Sequence, residues 1–167
     1  MDYFLGIDIG TTSVKVVAFS AGGKVLGEQS GSYAILHPQP DQSEQEPTEI
    51  WNSFYRCVEN ILQHFNHPPK FLSFSAAMHS LIAVDETGLP ISNCLIWADN
   101  RAAGIAARLC AEEKAASCYK KNGVRVHAMS PFCKLIWLKE NDPVLFQKAS
   151  RFIGIKEYIF FKLFGVY

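Results

Sequence analysis

Three observations predict an α/β fold: a mixed sheet flanked by helices. The first is a strand-rich opening as far as Leu36, with apolar runs at Tyr3–Ile7 and Val14–Ser20 and a third strand at Lys24–Tyr33. The second is a helical repeat of Ile50, Trp51, Phe54, Val58, Ile61, Leu62 and Phe65. The third is a further apolar strand, Phe71–Ala76, beyond that repeat.

The elements follow in order. Tyr3–Ile7 and Val14–Ser20 are strands joined by a hydroxyl-rich turn, and Gly22-Gly23 makes the hairpin into the third strand. His37–Glu46 is polar and carries Pro38 and Pro40, which predicts a loop. Pro47 suits the first turn of a helix, and Pro68-Pro69 lies just beyond its expected end near Asn66. Leu81–Val84 and Cys94–Trp97 read as short strands around a turn at Asp85–Gly88. Alanine-rich Arg101–Lys121 reads as one helix, broken at Asn122-Gly123. Pro131–Asn141, a short segment from Asp142-Pro143 and Lys156–Phe164 read as helices, with Arg151–Ile153 as a short strand. Three strands, a helix and a strand give the order βββαβ, which is typical of the ribonuclease H-like, actin-like ATPase fold. Sugar kinases and chaperone ATPases share it, so fold alone does not settle function.

Composition excludes some classes. Sixteen basic and sixteen acidic residues cancel in a chain of 167, so no charge excess calls for nucleic acid or an anionic membrane. No apolar run approaches the roughly 20 residues needed to span a bilayer. The start lacks the basic region and cleavage site of a secretory signal. The five cysteines, Cys57, Cys94, Cys110, Cys118 and Cys133, form no Cys-x-x-Cys pair. They are expected as free, buried thiols in a reducing cytoplasm. Oligomeric state stays open, a homodimer among the options.

The stretch Gly6-Ile7-Asp8-Ile9-Gly10-Thr11-Thr12-Ser13-Val14-Lys15 carries the strongest chemical signal. Asp8 is expected at the end of a buried strand, where a carboxylate calls for a balancing charge. Magnesium is a fitting partner. Gly10 admits a bulky group, and the amides and hydroxyls of Thr11, Thr12 and Ser13 can face phosphate oxygens. The same pattern also describes an ordinary β-hairpin.

Four further segments bear polar groups near strand ends and helix starts: Ser43-Glu44-Gln45-Glu46, Ala77-Met78-His79-Ser80, Trp97-Ala98-Asp99-Asn100-Arg101 and Gly123–Pro131. Singly, each has a plain reading. Ser43–Glu46 can cap the following helix, Met78 and His79 can fill core, Asp99 and Asn100 can cap a helix, and His127 can be structural. Jointly they offer the fixed donors, acceptors and apolar face, such as Trp97, that a polyol needs.

With these residues the chain resembles the start of the FGGY family of carbohydrate kinases. The resemblance is carried by Asp8–Lys15, Ser43–Glu46, Met78-His79 and Trp97–Arg101, and covers essentially the whole chain. Trp97-Ala-Asp-Asn-Arg101, His127–Phe132 and Phe152–Tyr158 make it most similar to the gluconate-phosphorylating branch. The resemblance implies ATP and magnesium as cofactors and a sugar or sugar acid as substrate. Asp8 would help place magnesium, and Gly10, Thr11, Thr12 and Ser13 would wrap the phosphates. Met78 and His79 would line the sugar pocket, with Asp99, Asn100 and Arg101 near it. Arg101, and less so Arg125, would suit a substrate carboxylate. The family's general-base aspartate and its adenosine-binding domain fall beyond residue 167. The chain is therefore expected to be an incomplete N-terminal domain, inactive alone. Competing readings are a xylulose or other sugar kinase, a chaperone-like ATPase and a non-catalytic sugar-binding module.

Overall fold

The structure is a computed structural model that describes residues 2–112 and 114–167. Met1, at the head of the strand-rich opening, and Glu113, inside the expected alanine-rich helix, lie outside the described residues. In chain order the elements are β1 (Tyr3–Ile9), β2 (Ser13–Ser20), β3 (Val25–Ser32), β4 (Glu44–Gln45), α1 (Pro47–Leu62), β5 (Leu72–Ala76), β6 (Ile82–Val84) and β7 (Cys94–Leu95). There follow α2 (Ala103–Ala111), α3 (Lys114–Asn122), α4 (Pro131–Asn141), α5 (Pro143–Lys148), β8 (Arg151–Ile153) and α6 (Ile155–Phe164). They fall into two compact units, the first made of Met1–Ile35, Gln45–Ala77 and Ile155–Tyr167, the second of Leu36–Glu44 and Met78–Gly154.

The first unit holds a four-stranded sheet in the order β3-β2-β1-β5. β1, β2 and β3 form the antiparallel meander, and β5 returns parallel to β1 with Leu5 opposite Leu72 and Ile9 opposite Ala76. The connection through α1 is what makes that parallel return possible. This is the ribonuclease H-like topology predicted from the order of elements, a mixed sheet flanked by helices. Alternation along β1 buries Tyr3, Leu5, Ile7 and Ile9 on one face. α1 covers β2 and β3 with Ile50, Ser53, Phe54, Cys57 and Ile61. Its N-terminus is capped by the Glu46 carboxylate, which accepts from Thr48 N and Glu49 N, and Pro47 needs no partner there. The helix ends at Leu62, short of Asn66. α6 meets α1 and β5, with Phe160 edge-on to Phe74 at 5.0 Å.

Gly31 marks the closest approach of β3 to α1. A side chain there would collide with Ser53 Oγ and come within 3.2 Å of Cys57 Sγ. Gly31→Val is therefore expected to lower stability by about 2–3 kcal/mol through overpacking. Denaturant unfolding checks this, and a loss within experimental error would show that α1 moves away freely.

In the second unit β6 pairs antiparallel with β8. β4 is a departure from expectation, because His37–Glu46 was read as loop throughout. Glu44 bridges to Leu36 across that loop. The predicted turn Asp85–Gly88 forms: Asp85 Oδ1 accepts from Thr87 N and Leu89 N, and Gly88 takes φ +82°. One apolar cluster joins Ala102, Ile105, Leu109 and Cys133, and another joins Leu81, Leu95 and Leu138. The single expected helix over 101–121 is instead α2 and α3. Glu112 leaves helical geometry at φ −84°, ψ 11° as the cap of α2. Arg101 stays outside the helix because its backbone N–H and guanidinium turn back onto Asp99. Among the cysteines, Cys57, Cys94 and Cys133 are buried as expected, whereas Cys110 is exposed and Cys118 half-buried on helix flanks.

Candidate functional site

The turn between β1 and β2 is held by its carbonyl oxygens. Gly10 O accepts from Tyr33 Oη at 2.6 Å, and Thr11 O from Gln45 Nε2 at 2.7 Å. Thr12 O accepts from Tyr33 N at 3.2 Å, and Ser13 O from Gly10 N at 2.9 Å. With these lone pairs engaged, an incoming phosphate need not face them. Space is tight at Gly10: a Cβ there would lie 3.1 Å from Ser13 O, and 3.9 Å from Asp8 Oδ2. The Asp8 carboxylate thus sits beside the turn.

Asp8 is exposed, which corrects the expectation of a buried carboxylate. β1 runs on to Ile9, and its alternation puts the odd-numbered residues inward and Asp8 outward. Asp8 lies opposite Lys15 on β2 and Ser75 on β5, while the Lys15 ammonium reaches Glu28 at 3.1 Å. An exposed carboxylate beside hydroxyl groups is a donor set that suits magnesium, a hard cation that keeps several waters and phosphate oxygens. Among the described residues no three of His, Cys, Asp and Glu gather as a metal-holding group. The metal would rest on Asp8, phosphate and water.

Met78, His79, Asp99, Asn100 and Arg101 all lie in the second unit. Met78 is 72% exposed and Trp97 48% exposed. Asn100 is exposed as well. His79 has φ +64°, an unusual backbone for a residue with a side chain. Asp99 is fully buried. Its Oδ2 accepts from Ser43 N at 2.9 Å, and Arg101 Nε donates to Oδ1 and Oδ2 at 2.9 and 3.0 Å. Arg101 Nη2 donates to Asp99 Oδ2 at 2.8 Å and also to Glu44 Oε1, whose other oxygen accepts from Asn93 at 2.8 Å. The guanidinium lies over the Trp137 ring, 5.1 Å from its centre. Burial lowers the Arg101 pKa, but the bonds and charges of Asp99 and Glu44 outweigh it and hold the group above its ordinary value.

Arg101 is therefore already bound to two carboxylates. That arrangement organises the segment Trp97–Arg101 and leaves a third carboxylate, from a substrate, weakly attracted at best. Arg125 is exposed and lines a cleft of about 90 Å³ with Cys118, Asn122 and Phe132. His127 Nδ1 accepts from Met129 N, a structural role.

Three residues were missed as organisers. Gln45 and Tyr33 hold the turn between β1 and β2, a contact not foreseen for Ser43–Glu46. Lys134 is fully buried and donates to His79 O at 3.0 Å and Ile96 O at 2.6 Å. A lysine inside the apolar run Phe132–Leu138 was the available signal.

Residues 3–167 match the N-terminal domain of the FGGY family of carbohydrate kinases. A gluconokinase from Bacillus licheniformis is 45% identical over 166 residues, which is 99% of this chain and 32% of that protein. A ligand-bound xylulose kinase from Lactobacillus acidophilus aligns with a TM-score of 0.94 at 33% identity, over 97% of this chain and 33% of that one. A gluconate kinase from Lactobacillus acidophilus aligns with a TM-score of 0.93 at 33% identity, over 96% of this chain and 33% of that one. The chain spans about a third of the length of these relatives. With residues 3–167 matched to that domain, the chain belongs to the FGGY family of carbohydrate kinases.

Proposed function

We propose that this chain is part of an ATP-dependent kinase that phosphorylates the terminal hydroxyl of gluconate. The observation that carries the reading is the turn Gly10–Ser13 with its carbonyls tied back and the Asp8 carboxylate beside it. The likeness to a gluconokinase at 45% identity supports gluconate over xylulose. Such a turn offers amides and hydroxyls to phosphate oxygens, and Asp8 would hold magnesium there. When bound, magnesium supplies charge neutralisation to the transferring phosphoryl group.

Met78, His79 and Asn100 would meet the polyol, with Trp97 as its apolar face. Asp99 and Arg101 would hold that segment in shape and set the local charge. The general base and the adenosine cleft would come from sequence outside these residues, so the 167-residue chain alone is expected to leave gluconate unphosphorylated. A reducing compartment suits the five free thiols.

A panel of gluconate, xylulose and glycerol, assayed by ADP release with the full-length protein, tests the assignment. The expected result is a specificity constant for gluconate about 10-fold or more above the others, the discrimination a pocket lined for particular hydroxyls can reach. A higher value for xylulose would move the assignment to that sugar.

A further inference from the structure

Lys134 and Asp99 are the charged side chains with no exposed surface among the described residues. Lys134 stands on α4, on the side that also buries Cys133 and Leu138. Burying an ammonium is costly unless its donors are satisfied. Two of its N–H groups are given to backbone carbonyls, His79 O and Ile96 O. Each carbonyl adjoins a large exposed apolar side chain, Met78 before His79 and Trp97 after Ile96.

We propose that Lys134 is a positioning residue for polyol recognition, its buried ammonium clamping the Met78–His79 backbone to the Ile96–Trp97 backbone. This rests on the polyol-kinase reading above and deepens it. His79 is held at φ +64°, a conformation that a residue with a side chain rarely adopts and that persists only where its surroundings impose it. The bond from Lys134 to His79 O is such a constraint. A single ammonium thereby sets the spacing of two segments that lie 38 and 55 residues from it in sequence.

The charges facing Lys134 are few. Burial pulls its pKa down to about 8, the charges of Asp99 and Cys94 push it back up, and Arg101 opposes it. The Cys94 thiol itself is pushed up to about 12 by burial, so it is neutral at ordinary pH. Asp99 is thus the anion that keeps the clamp charged near neutrality.

The test uses the full-length protein and Lys134→Met, which keeps length and apolar volume but has no donor. Lys134→Gln, with two N–H donors on a shorter arm, is the companion. For whichever of gluconate, xylulose or glycerol the wild type accepts, Lys134→Met is expected to raise the sugar KM about 10- to 100-fold, the loss of a charged hydrogen bond. KM for ATP and kcat stay near wild type, and Lys134→Gln recovers part of the loss. An unchanged sugar KM in folded Lys134→Met, or equal losses in sugar KM, ATP KM and kcat, overturns the proposal. If Lys134→Met fails to fold, Lys134→Gln carries the test: a sugar KM raised about threefold or more, with ATP KM and kcat near wild type, supports the proposal, and an unchanged sugar KM overturns it. Absence of turnover with all three sugars by the wild type refutes the kinase reading itself, a result distinct from any effect of Lys134.

Discussion

Arg101→Ala is expected to destabilise the protein by about 3–5 kcal/mol, the cost of breaking a buried ion pair from one side. Asp99 has no exposed surface, and its partners are Ser43 N, the backbone N–H of Arg101 and the guanidinium. Without the guanidinium its charge stays buried beside backbone donors alone, Ser43 N and the N–H of residue 101. Glu44 keeps Asn93 and is less affected. The Trp137 ring loses the cation above it. Thermal unfolding should fall by roughly 6–20 °C for a chain of this size. Arg101→Lys should recover part of this, since an ammonium cannot reproduce the fork across Asp99 and Glu44. In the full-length kinase, KM for gluconate should rise as well, because Trp97 and Asn100 lose their support. A stability change under about 1 kcal/mol would mean that the cluster is worth no more than a surface pair.

Asp8→Ala should do the reverse, sparing the fold and removing the chemistry. Asp8 is exposed, and its backbone is fixed by the ladder between β2 and β5, so stability should change by about 0.5 kcal/mol or less. In the full-length protein kcat should fall about 100-fold or more, the scale of several kcal/mol lost when a phosphoryl group loses its metal. Sugar affinity, measured by calorimetry without nucleotide, should be unchanged. A kcat within about threefold of wild type would remove Asp8 from the metal site.

Much of the fold was legible because local patterns determine it. The alternation of Tyr3, Leu5, Ile7 and Ile9, the helical spacing from Ile50 to Ile61, and the punctuation at Gly22-Gly23 and Pro47 each specify an element within a few residues. β4 escaped because a two-residue strand carries no period. The division between α2 and α3 escaped because Glu112 is a good helix former whose turn is imposed by context. Asp8 was misjudged by ending the strand two residues early, where parity decides which face a carboxylate occupies.

The site was legible in residue types more than in their partners. Asp8, Gly10, Met78, His79 and Arg101 could be singled out from motif and resemblance. That Arg101 would meet Glu44, 57 residues away, has no local signature. Nor does the bond from Gln45 to Thr11, 34 residues away, which ties Gln45 to the turn between β1 and β2. Lys134 shows the same limit from the other side. Its charge in an apolar helix face was visible, but the two carbonyls it serves are set only by folding.

The central claim is that this chain helps transfer the terminal phosphoryl group of ATP to a hydroxyl of gluconate. Phosphorus-31 NMR of the full-length protein incubated with ATP, magnesium and gluconate tests it most directly. One new phosphomonoester on the terminal carbon is expected, formed in step with ADP and absent with Asp8→Ala. ADP formation without a sugar phosphate, or no reaction with gluconate at all, would contradict it.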